Sequence, residues 1–134
     1  MSTLTQEQIA SYDEFGFLAS IPILADSEVR HFRGEVEKTC AALGGRITRI
    51  DGPHLHFRWA WQLSTHPRIL DCMEQLIGPN IMLKSTRLFY KFADSNSFVG
   101  WHQDGLTERV ADAYVPAIWL GLTQIGRASC RERV

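Results

Sequence analysis

The stretch "FVGWHQDG", residues 98–105, sets His102 and Asp104 two positions apart among apolar and aromatic neighbours. On an extended strand residues i and i+2 project from one face, so these two side chains point together while Gln103 points away. An imidazole nitrogen beside a carboxylate oxygen suits a divalent first-row metal with mixed N/O preference. It is two-thirds of the facial arrangement of two histidines and one carboxylate that holds non-haem Fe(II) and leaves the opposite positions open. The remaining ligand, a histidine, must come from a strand further along the chain. Spacing alone fits equally an ordinary strand whose two polar residues make routine hydrogen bonds. His54 and His56 repeat the spacing and read as polar-face strand residues or substrate-side contacts.

The elements that must position these residues follow from local patterns. In "LTQEQIASYDEFG", Thr5 and Gln8 have capping-box spacing, Ile9, Tyr12 and Phe15 form a helical stripe, and Gly16 is the stop. Residues 17–24 read as a short extended run, which Pro22 confines to an edge. Asp26 reads as the N-cap of a second helix with Val29, Phe32, Val36 and Cys40 inward, ended by Gly44 and Gly45. From Arg46 the period changes to two, first in "RITRI" and again in "HLHFRWAW", which predicts two strands around the turn at Asp51, Gly52 and Pro53. Thr65 and Pro67 open a third helix with Ile69, Met73, Leu76 and Ile77 inward, stopped at Gly78 and Pro79. "IMLKSTRLFYKF" reads as a long strand, "ADSNS" as a turn, "VGWHQD" as its partner strand, and "VPAIWLGLT" as another. Helices first and strands after argue for an α+β fold with an antiparallel core.

Bulk properties narrow the class. A chain of 134 residues with 45% hydrophobic content has the length of one domain and can enclose a core. Its net charge of −1 is spread evenly, so no nucleic-acid partner is implied. No apolar run reaches the roughly 20 residues needed to span a bilayer, and the N-terminus lacks a secretory pattern. Cys40, Cys72 and Cys130 are scattered, which predicts reduced thiols and a cytoplasmic setting.

The ordered blocks carry a resemblance. "LTQEQIASYDEFGFLASIPILADSEV", then "LIGPNIM", the strand ending "FYKF", "GWHQDG" and "AIWLGLT" together resemble the phytanoyl-CoA dioxygenase family of Fe(II)/2-oxoglutarate oxygenases, in order from Leu4 to Thr123. The resemblance implies a double-stranded β-helix (a jelly roll) with His102 and Asp104 as iron ligands. It also implies Fe(II), 2-oxoglutarate and O2 as cofactor and cosubstrates, and hydroxylation of a small-molecule substrate with release of succinate and CO2. Related halogenases place a small residue at the carboxylate position, so Asp104 favours hydroxylation. Trp119 would border the 2-oxoglutarate pocket, with plain core packing as the competing reading. Ser85, Arg87, Phe89 and Lys91 share one strand face. If it looks into the barrel, Ser85 and Arg87 approach the cosubstrate or substrate; if outward, Arg87 is a solvated surface residue. His31 and His66 read as surface, and Arg109 and Tyr114 as loop residues near substrate. A different class of protein, a non-catalytic jelly-roll binding module without metal, fits the same blocks. Oligomeric state has no signature in the sequence.

The resemblance stops at Thr123, so residues 1–123 read as the domain segment. "IGRASCRERV" has no apolar period, and one reverse translation of it, ATC GGA AGA GCG TCG TGT AGG GAA AGA GTG, spells a common short-read sequencing adapter. Residues 124–134 therefore read as a non-native tail on the N-terminal part of a longer enzyme. A chain ending there lacks the distal histidine and the downstream arginine expected for 2-oxoglutarate, and it leaves sheet edges unpaired. As written it is expected to be inactive.

Overall fold

A computed structural model of the chain describes residues 3–92, Gly100 and residues 115–123. The first helix, α1 (Gln6–Phe15), begins at the expected cap. The Gln8 amide donates to Thr5 Oγ1 at 3.2 Å, and the Thr5 amide donates to Gln8 Oε1 at 2.8 Å. Gly16 closes the helix at φ 77°, a conformation other residues adopt at a cost. The stripe is only partly used: Ile9 and Tyr12 are half-buried and Phe15 is exposed. Residues 17–24 form no strand, but Leu24 packs against the core.

The second helix, α2 (Asp26–Ala42), starts one residue earlier than its sequence signal. Ala25 is the N-cap, and Glu28 reaches back to accept its amide at 2.8 Å. Phe32, Val36 and Cys40 are buried on the expected face, joined by Thr39.

The run "HLHFRWAW" is a correction. Gly52 takes a left-handed φ of 63°, Pro53 opens a short 3-10 turn (Pro53–Leu55), and α3 (Arg58–Ser64) follows. Aromatic and apolar residues at every second position imitate a strand. The residues that become buried, Trp59, Ala60 and Leu63, instead follow helical spacing, while Leu55 and Trp61 are exposed. Helix α4 (Pro67–Ile77) has His66 as its N-cap, with Ile69, Cys72 and Met73 buried and Gly78 at the stop.

The core cluster joins Phe32, Val36 and Cys40 of α2 to Trp59, Ala60 and Leu63 of α3. Burying each large apolar side chain contributes about 1.5–3 kcal/mol. One polar contact is sealed within it: the Trp59 indole N–H donates to Thr39 Oγ1 at 3.0 Å, and that hydroxyl donates to the Glu35 carbonyl at 2.8 Å. The N-terminal segment is tied to α4 by Gln75. Its Oε1 accepts the Thr3 and Leu4 amides at 3.0 and 2.9 Å, and its Nε2 donates to the Leu4 carbonyl at 3.1 Å. Leu4 is buried as a result.

Among the described residues the sheet has two antiparallel strands, β1 (Arg49–Asp51) and β2 (Arg87–Phe89), so the fold is α+β. The long strand expected over 81–92 is thus three residues, bracketed by hydrogen bonds from the Gly52 amide to the Thr86 carbonyl and from the Tyr90 amide to the Thr48 carbonyl, each 2.9 Å. No strand forms over 115–123, although the alternation persists there: Leu120 and Leu122 pack on the core while Trp119 is exposed. The turn at 93–97, most of the strand that follows it and the tail at 124–134 lie outside the described residues.

Candidate active site

The two faces of the small sheet differ in kind. Leu88 and Tyr90 pack toward the helical core, so their neighbours Arg87 and Phe89 must point the other way. The pairs Arg49 with Phe89 and Asp51 with Arg87 put four exposed side chains on that open face. Trp119 joins them, stacked on Phe89 with ring centroids 6.2 Å apart and 10° between planes. Of the sequence-derived candidates, the structure therefore brings Arg87 and Trp119 together on the face away from the helices. Ser85 is exposed just before β2. Trp119 is 77% exposed, so core packing does not describe it.

Asp51 links the strands. Its Oδ1 accepts from Arg49 Nε and Nη2 at 3.0 and 2.8 Å, and from Arg87 Nε at 3.1 Å. Hydrogen bonds and charge from Arg49, and then from Arg87, hold its carboxyl below the ordinary value of 3.8. Asp51 thus meets two guanidinium groups, one from each strand. Arg49 and Asp51 are functional candidates that sequence reasoning missed. The available signal was the period of two in "RITRID", which places 49 and 51 on one face.

His102 and Asp104 lie outside the described residues, as do Arg109 and Tyr114. Among the described residues no three His, Cys, Asp or Glu side chains group as metal ligands. His54 does not sit on a strand: its Nδ1 shares a hydrogen bond with the Thr86 hydroxyl at the end of the sheet. His66, read from sequence as a surface residue, is largely enclosed and pairs through Nε2 with Glu28 Oε1 at 3.1 Å. It borders a shallow cleft of about 360 Å³ formed with Ser27, Glu28, His31, Phe32 and Gln62. That cleft belongs to the helical layer, whereas Arg87 and Trp119 occupy the other side of the sheet.

Two known proteins match the chain. One, from Stutzerimonas stutzeri, bears the name "Probable alpha-ketoglutarate-dependent hypophosphite dioxygenase" and is 30% identical over 87 residues, covering 65% of this chain and 29% of that protein. The other is the human peroxisomal phytanoyl-CoA dioxygenase, 28% identical over 123 residues, covering 75% of this chain and 36% of the relative. The chain therefore spans well under half the length of either. No family model and no solved structure matches it. No helix among the described residues is long and apolar enough to cross a membrane.

Proposed function

We propose that the chain is the N-terminal part of an Fe(II)/2-oxoglutarate-dependent dioxygenase of the phytanoyl-CoA dioxygenase type, built on a jelly roll, whose whole form hydroxylates a small molecule. The observation that carries this reading is the match to two proteins, both named as dioxygenases, whose named substrates have nothing in common. Similarity shared across unlike substrates tracks common chemistry more than common specificity. The donor chemistry agrees: His102 and Asp104 are the nitrogen and oxygen ligands that Fe(II) prefers, and bound iron would supply the activation of O2. Arg87 adds a guanidinium suited to a cosubstrate carboxylate, Ser85 a hydroxyl near it, and Trp119 an apolar wall. The helices leave the sheet face bearing Arg87 and Trp119 uncovered, as a barrel interior requires.

Residues 124–134 are read as adapter-derived, with 1–123 as the genuine domain segment. Resequencing the gene from an independent clone tests this, and a natural frame continuing through "GRASC" refutes it. The enzyme reading is tested on the uninterrupted gene product by succinate formation from 2-oxoglutarate with Fe(II) and O2. Release should require Fe(II) and fall by at least about a hundredfold in His102→Ala. A whole protein with no downstream histidine and no succinate release is instead a jelly-roll binding module, and the proposal fails.

A further inference from the structure

We draw no further inference here: the strongest candidate, the open face of the two-stranded sheet where the Phe89 and Trp119 rings stack and stay 45% and 77% exposed, carries nothing further, because nothing among the described residues shows what covers it.

Discussion

Thr39→Val replaces a hydroxyl by a methyl of nearly the same size inside the α2–α3 contact. Thr39 and Trp59 are both 8% exposed, so water cannot take over the hydrogen bond that the indole N–H makes to Thr39 Oγ1 at 3.0 Å. The variant leaves that donor buried without an acceptor, which costs about 1–3 kcal/mol. The other bond of the hydroxyl, to the Glu35 carbonyl, adds little, because a helical carbonyl already accepts from the backbone. For a chain of this size the expected fall in Tm is about 4–10 °C. Urea unfolding followed by far-ultraviolet circular dichroism gives the free energy. Thr39→Ser, which keeps the acceptor and loses a methyl, should cost less than about 1 kcal/mol. Trp59→Phe removes the donor, so a double variant with Thr39→Val should be less damaged than the two single changes suggest. A Thr39→Val penalty below about 0.5 kcal/mol, or one matched by Thr39→Ser, would refute the argument that this buried bond holds the helices together.

Three further outcomes are expected. Gln75→Ala removes both the acceptor and the donor that secure Thr3 and Leu4, so amide hydrogen exchange at Leu4 should quicken by about tenfold or more while α2 amides keep their protection. Burial raises the thiol pKa of Cys40 and of Cys72, so both should resist iodoacetamide at pH 8 until urea unfolds the chain, as read by peptide mass spectrometry. The Ala25 amide, and then His66, lower the Glu28 pKa from 4.5; this contribution to stability is present above that value and disappears as pH falls through the folded one. The stability gap between wild type and Glu28→Gln should therefore be at its full size above pH 4.5 and close as the pH falls below it, in thermal melts across that range.

Legibility followed the range of the forces involved. The cap of α1 at Thr5, the buried face of α2 and the start of α4 at Pro67 depend on neighbours within one or two turns, so spacing discloses them. Helix α3 was hidden because Leu55, Phe57, Trp59 and Trp61 alternate like a strand. Its i, i+4 pair of Trp59 and Leu63 was the weaker of two conflicting periods, and packing against α2 decided between them. The extent of β2 depends on how far β1 accompanies it, which no local pattern states. On the candidate site, alternation grouped Ser85, Arg87 and Phe89, but only the contacts of Leu88 and Tyr90 with the helices tell which face is open. The tie from Asp51 to Arg87 spans 36 positions and was invisible for the same reason.

The six core residues, from Phe32 to Leu63, sit within a short span of chain, and Leu88, Tyr90, Leu120 and Leu122 only add to them from later in it. During synthesis at about 5–20 residues per second, this unit can close within seconds of leaving the ribosome. Ribosome-bound chains arrested before "GWHQDG" is made should already shield Trp59 from quenchers, and an unshielded Trp59 would contradict this. The helical part would then be waiting as a finished template when the rest of the chain emerges.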